Sequence, residues 1–183
     1  MTLPESEDAV IRRVLWSLPT GLYVLGSGVD EVQGPWNLMT INLVTQVATT
    51  PRILGVSLES DSRSLEYVRH SGKAALSILA REDRAVVRRF VKAVEDVERD
   101  TEGRPTRLSG VEVELTPGGV PVLSQAVAWL DLKVVTSTEF ESHTMVFLAV
   151  AEARSIPELL EGSASERSVE ILRMEDTRMN YGG

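Results

Sequence analysis

The residues best suited to chemistry in this chain are amides, hydroxyls and one guanidinium, gathered in two short segments. The first, NLMTINLVTQVATTP over 37–51, carries Asn37, Thr40, Asn42, Thr45 and Gln46 through an apolar run without confining them to one face. A half-buried strand would alternate, polar outside and apolar inside. Polar groups on both faces suit a strand that offers side-chain and main-chain hydrogen bonds to a flat heteroaromatic ligand. The second segment, ESDSRSLE over 59–66, sets Ser60, Ser62 and Ser64 around Arg63, directly before a helical pattern. Hydroxyls, a guanidinium and the free N–H groups of a helix start make a phosphate site. The same serines can equally do no more than cap the helix. The two imidazoles are His70 and His143. His70 falls near a helix end beside Gly72, where a cation favours the helix dipole, and reads as structural.

Composition removes several alternatives. The chain has no cysteine, which excludes disulfides, thiolate nucleophiles, zinc knuckles and iron–sulfur clusters. With two histidines, a histidine-rich metal site is not expected. No G-x-S-x-G elbow, dinucleotide fingerprint or Walker loop occurs, which argues against a serine hydrolase and against Rossmann or P-loop nucleotide sites. A net charge of −8 argues against nucleic acid and anionic membranes as partners, while allowing a local pocket for one phosphate. The acidic start MTLPESEDAV has no apolar signal core, and no apolar run approaches the ~20 residues of a membrane span. A cytoplasmic protein is expected. What remains is a binding module, or an enzyme whose reactive group is a bound cofactor.

The elements that must position these residues can be read from periodicity. At 183 residues the chain is expected to be one domain, 1–183. Residues 5–18 predict a short helix, with Ser6 as N-cap, an apolar stripe of Ala9, Val10, Val14, Leu15 and Leu18, and Pro19 as its stop. Three apolar runs between Gly21 and Glu59, joined by short turns, predict an antiparallel meander. Asp61–Ser71 predicts a helix closed by Gly72, and AALSILA a buried strand. Residues 82–100 predict a charged helix with Val86, Val87, Phe90, Val91 and Val94 inward, its other face solvated or packed on a second subunit. TEGRPTRLSG predicts a loop. VEVEL, VPVL, AVAWLDLKVVTST and HTMVFLAVAEA predict strands, the last two a long hairpin around EFES. A short helix near PELLEG and a last strand around VEILRM follow. Seven to eight strands without a βαβ rhythm predict a mainly β protein, an antiparallel barrel with peripheral helices.

In order and spacing these segments resemble the flavin reductase-like family, whose members have an FMN-binding split β-barrel. LPTGLYVLGSG resembles the family's first strand. NLMTINLVTQVATTP resembles its N-x-M-T-x-S/N-x-x-T-Q-V-S-x-x-P signature, and RILGVSLESDSRSLEYVRHSGKAALSILA the strand, serine-rich loop, helix and strand that follow. VPVLSQAVAWLDLKVV and ESHTMVFLAVAEA resemble the late hairpin, and the closing YGG recurs in one branch. The resemblance implies that Asn37, Met39, Thr40, Ile41 and Asn42 line an isoalloxazine, mainly through main-chain groups. It implies that Leu58, Glu59 and Ser60 lie along the flavin and ribityl chain, and that Ser62, Arg63 and Ser64 hold the phosphate. Phe90 and Tyr181 are further flavin-side contacts on this reading.

His143 matches the histidine of the family's G-D-H motif, near the nicotinamide. This chain reads Glu141, Ser142, His143 there, without the glycine or the aspartate. The departure bears on nicotinamide use more than on the flavin site. The resemblance thus implies an NAD(P)H-dependent flavin reductase that binds FMN, with FAD as the alternative. It implies a homodimer that passes electrons to free flavin or a partner protein. An FMN-binding electron carrier that uses NAD(P)H poorly, and a split-barrel binding protein without catalysis, are the other readings.

Overall fold

The computed structural model describes residues 5–161, 166 and 168–179. The expected N-cap side chain of Ser6, and Tyr181, lie outside what is described. Helix α1 (Glu5–Trp16) leads into a meander of β1 (Tyr23–Gly28), β2 (Trp36–Ile41), β3 (Val44–Thr49) and β4 (Arg52–Glu59). Helix α2 (Arg63–Ser71) and β5 (Lys73–Ile78) follow. Four short strands come next: β6 (Val97–Arg99), β7 (Pro105–Leu108), β8 (Val111–Leu115) and β9 (Pro121–Leu123). The long hairpin β10 (Ala128–Glu139) and β11 (His143–Ser155) closes the strand order.

Seven strands form one antiparallel sheet in the order β2-β1-β5-β10-β11-β4-β3. Its two edges, β2 and β3, are separated in sequence only by Asn42 and Leu43. Three Cα–Cα steps of ~3.8 Å span at most about 11 Å. The sheet must therefore curl until its opposite edges nearly meet, and they do so without pairing. That geometry is the split of a split barrel. Leu25, Ile41, Val56, Leu58, Leu76, Leu132, Val146 and Leu148 pack with Leu65 and Val68 of α2. A second cluster unites Leu22, Val24, Trp36 and Leu38 with Val87, Phe90 and Val94 and with Leu108, Val113 and Leu123 of the small sheet β6-β7-β8-β9. Each such large side chain contributes about 1.5–3 kcal/mol on burial.

Helix α2 forms where expected. Ser62 caps it, its hydroxyl accepting from Leu65 N, and Gly72 closes it with φ 68° and its N–H on Val68 O. A non-glycine residue would be strained in that left-handed cap. Four expectations need correction. There are eleven strands among the described residues, because TEGRPTRLSG contains β7 and β6 lies just before it. VEILRM supplies only single bridges, Ala80 to Ile171 and Gly21 to Arg173. The α1 stripe is not core: Val10, Val14 and Leu18 are each at least 60 % exposed.

Residues 82–100 are not one helix but two 3-10 turns, Arg81–Asp83 and Val86–Phe90, followed by β6. The physical reason lies in β2. Thr40 Oγ1 donates to Val87 O at 2.6 Å, and Asn37 Oδ1 accepts from Val94 N at 2.8 Å. An α-helix would use that carbonyl and that N–H for its own i to i−4 bonds. The β-branched residues Val86, Val87, Val91 and Val94 weaken any helical alternative further.

Candidate active site

These bonds also explain the polar residues on both faces of β2. It is an edge strand covered on both sides, with Thr40 pinning the 86–94 segment and Asn37 joining it to α2. Asn37 Nδ2 donates to Ser64 Oγ at 2.9 Å, and both residues are buried. Arg63 Nη1 donates to Val94 O at 2.9 Å. The 86–94 segment is thus fastened to the start of α2 and forms a wall.

That wall borders a cleft of about 1140 Å³. Met39, Thr40, Ile41 and Asn42 line it from β2 and the crossing to β3, and Glu59, Ser142 and His143 from the far ends of β4 and β11. Tyr23, Ser57 and Val91 line it too, and Leu15, Trp16 and Leu18 close it from the N-terminal segment. Two edges of the curled sheet therefore meet here, which is why residues far apart in strand order share one cavity. Its size exceeds the range of about 300–1,000 Å³ typical of small-molecule pockets, so a tricyclic ring has room beside a second ring.

Six expected residues converge on the cleft: Met39, Thr40, Ile41, Asn42, Glu59 and His143. The Thr40 hydroxyl is already committed to Val87 O. Asn42 differs. It is 8 % exposed, and its side-chain amide makes no hydrogen bond among the described residues, while its carbonyl accepts from Val44 N. Its amide atoms are not sealed from solvent, unlike Ser27 Oγ and Trp36 Nε1, and they open onto the cleft. An amide that faces a cleft and offers both donors and an acceptor is poised for a ligand with a matching edge. His143 pairs in register with Glu59, and its Nδ1 lies 2.9 Å from Ser142 Oγ. Ser142 thus occupies one ring nitrogen and leaves Nε2. Burial pushes the Tyr23 phenol up, so it is a neutral donor in the working range.

The other expected residues stand outside the cleft. Ser60 sits in the turn after β4, its N–H on Ser142 O. Ser62 is occupied as N-cap and donates to Glu59 O. Leu58 and Phe90 are fully buried core side chains, so a ligand in the cleft meets neither. Asn37 and Ser64 bond each other, Asn37 bonds Val94 N as well, and neither lines the cleft. Tyr23, Ser57 and Val91 went unread in the sequence. Ser57 could have been found from alternation, two residues before Glu59 on one strand face. Tyr23 depends on a register opposite Ile41 that no local signal carries.

Residues 15–167 match the model of the flavin reductase like domain. The NADH-dependent flavin reductase StyB of Pseudomonas fluorescens is 28% identical over 152 residues, 83% of this chain and 81% of that protein. Among solved structures, the Streptomyces globisporus C-1027 NADH:FAD oxidoreductase SgcE6 superposes with a TM-score of 0.70 at 22% identity, covering 94% of this chain and 92% of that one. The styrene monooxygenase flavin reductase of Pseudomonas putida S12 does so with a TM-score of 0.66 at 24% identity, covering 80% and 88%. With five-sixths of its length matched by the family model and the same split-barrel architecture, the chain belongs to the flavin reductase-like family.

Proposed function

We propose that this protein is an NAD(P)H-dependent flavin reductase with a flavin seated in the cleft. The single observation that carries this reading is Asn42, whose side-chain amide opens onto the cleft with its donors and acceptor unused by the protein. A flavin's pyrimidine edge presents one N–H between two carbonyls, which a carboxamide can pair. When bound, the flavin supplies the capacity to take hydride from a nicotinamide and give electrons onward. The chain's own residues bind and orient. Met39 and Ile41 offer apolar surface and β2 main chain beside the ring, and Asn42 sets its edge. Glu59 borders the ribityl side, and Arg63, with one guanidinium nitrogen on Val94 O, uses its remaining donors for the phosphate. His143, held at Nδ1 by Ser142, orients the nicotinamide from the opposite wall.

FMN is the proposed flavin, with FAD as the alternative. The reduced product passes to free flavin or to a partner protein, a reading supported by relatives whose names make them components of oxygenase systems. We also propose that the whole chain acts as one domain, as a homodimer in the cytoplasm. The exposed Val10 and Val14 on α1, with Leu18 on the cleft wall, support a second subunit on this face. No helix among the described residues is long and apolar enough to cross a membrane.

Titration of the protein into FMN, FAD and riboflavin, followed by flavin fluorescence, tests the seat. Saturable quenching is expected. No binding of any of the three would end the proposal.

A further inference from the structure

The segment 170–179 contributes to the cleft, yet it joins the rest of the fold only through single bridges. It enters between the ends of β1 and β5. Leu172 O accepts from Leu22 N, and Leu172 N donates to Leu79 O. Leu172 is fully buried in the core and anchors the segment at that point. Beyond this anchor Met174, Thr177 and Met179 line the cleft. They are knit to one another: Thr177 donates to Met174 O from both its N–H and its hydroxyl, and Met179 N donates to Thr177 Oγ1. Residues 174–179 therefore stand or move as one unit. Met174 N on Thr20 O ties that unit to the fold, and so does Asp176. The Asp176 side chain is 6 % exposed and both its oxygens are used. Oδ1 faces Arg81 Nε at 2.6 Å, and Oδ2 accepts from Arg173 N at 2.9 Å. The same guanidinium reaches Glu170 Oε2 through Nη1 at 3.1 Å, so one cation spans both sides of Leu172. Arg81, Glu170 and Asp176 do not themselves line the cleft.

We infer that Arg81 is a positioning residue for the ligand of the cleft: through Asp176 it holds residues 174–179 in place as a wall. The inference rests on the flavin reading above and concerns how long the flavin is retained. A nearly buried carboxylate that loses its cation keeps one N–H donor and must find water instead. Asp176 reaches water by drawing the 174–179 unit outward from the anchor at Leu172. The apolar side chains of Met174 and Met179 then leave the ligand, and the cleft opens on that side. Leu22, bonded to Leu172, precedes Tyr23, which pairs with Ile41. The wall therefore adjoins the β1–β2 side of the cleft, where Asn42 stands.

The test compares the wild type with Arg81→Gln, Asp176→Asn, the double variant, Arg81→Lys and Arg107→Gln. Arg107→Gln breaks the ion pair with Glu112, and neither of those residues lines the cleft. Two quantities are measured: amide hydrogen exchange of the ligand-free protein at Leu172, Met174 and Thr177 by NMR, and FMN release by stopped-flow fluorescence. Losing the charge-assisted bond in Arg81→Gln or Asp176→Asn should speed exchange at Met174 and Thr177 about tenfold, with Leu172 unchanged behind its buried anchor. FMN should leave roughly five- to tenfold faster, at nearly the wild-type association rate. The double variant should be no worse than Arg81→Gln, because both changes break one pair. Arg81→Lys should recover part of the loss, and Arg107→Gln should match the wild type. Unchanged exchange at Met174 and Thr177 in both single variants would overturn the inference, as would faster exchange with FMN release unchanged. An equal rise at Leu172 would mean general loosening and would overturn it too. A wild type that binds no FMN would end the flavin reading and the positioning role with it, while exchange would still report whether Arg81 holds the segment.

Discussion

Replacing Asn37 and Asn42, five residues apart, by leucine should have opposite consequences. Leucine is nearly isosteric with asparagine, so each change deletes polarity rather than volume. At Asn37 the amide holds two buried partners, Val94 N at 2.8 Å and Ser64 Oγ at 2.9 Å. Asn37→Leu strands both. An unsatisfied buried group costs about 1–3 kcal/mol, and the serine hydroxyl can rotate toward another acceptor, so the total loss is roughly 2–5 kcal/mol. At Asn42 no side-chain bond is lost, because the amide opens onto the cleft rather than into the core. Asn42→Leu should leave stability unchanged within about 0.5 kcal/mol. Urea unfolding separates the two. With a slope of about 2 kcal/mol/M, the midpoint falls by ~1–2.5 M for Asn37→Leu and stays within ~0.3 M for Asn42→Leu. Flavin titration should give the converse ranking for Asn42→Leu, a loss of about 1–3 kcal/mol, or roughly five- to 150-fold. If Asn42→Leu destabilises the fold as much as Asn37→Leu while binding flavin normally, the assignment of one amide to structure and the other to ligand is wrong.

Arg63→Ala should weaken FMN binding by about 1–3 kcal/mol if its remaining guanidinium donors reach the phosphate, and unchanged affinity removes Arg63 from the site. His143→Ala should raise the KM for the nicotinamide roughly tenfold, the equivalent of one hydrogen bond, with flavin affinity nearly unchanged; a loss confined to flavin affinity would place His143 on the other ligand. Gly26→Ala should destabilise by about 1–3 kcal/mol or more, since its Cβ would lie 1.9 Å from the Pro121 carbonyl oxygen and force β1 away from β9. Thermal unfolding checks the last, and a melting temperature within a degree or so of wild type would contradict it.

The parts of the fold that announced themselves were those with local punctuation. Ser62 and Gly72 mark both ends of α2, and the β10–β11 hairpin is set by two long apolar runs around a polar turn. The parts that stayed hidden depend on distant partners. The 82–94 segment has a helical period, but its backbone is claimed by Asn37 and Thr40, 57 and 47 residues earlier in the chain. The stretch over 37–51 looks like one strand. It is two strands, β2 and β3, on opposite edges of the curled sheet. Thr45 and Gln46 lie exposed on that edge strand, with Gln46 Nε2 bonding Ala48 O, and neither reaches the cleft.

The site was legible in part for the same reason. Met39–Asn42, Glu59 and His143 do meet in one cleft. The sequence could not reveal that the amide and hydroxyl of Asn37 and Thr40 are consumed by the backbone of the 86–94 segment. It could not reveal that Tyr23 and Val91 complete the walls, because register and crossing geometry decide that.

The central claim is tested most directly by mixing the flavin-loaded protein with NADH, and separately with NADPH, in the absence of oxygen, and recording the visible spectrum. Loss of the oxidised-flavin absorbance with at least one nicotinamide, much faster than for the same flavin free in solution, is the predicted result. A protein that binds flavin in the cleft yet leaves it oxidised with both nicotinamides, at the rate of free flavin, would contradict it and leave an electron carrier in its place.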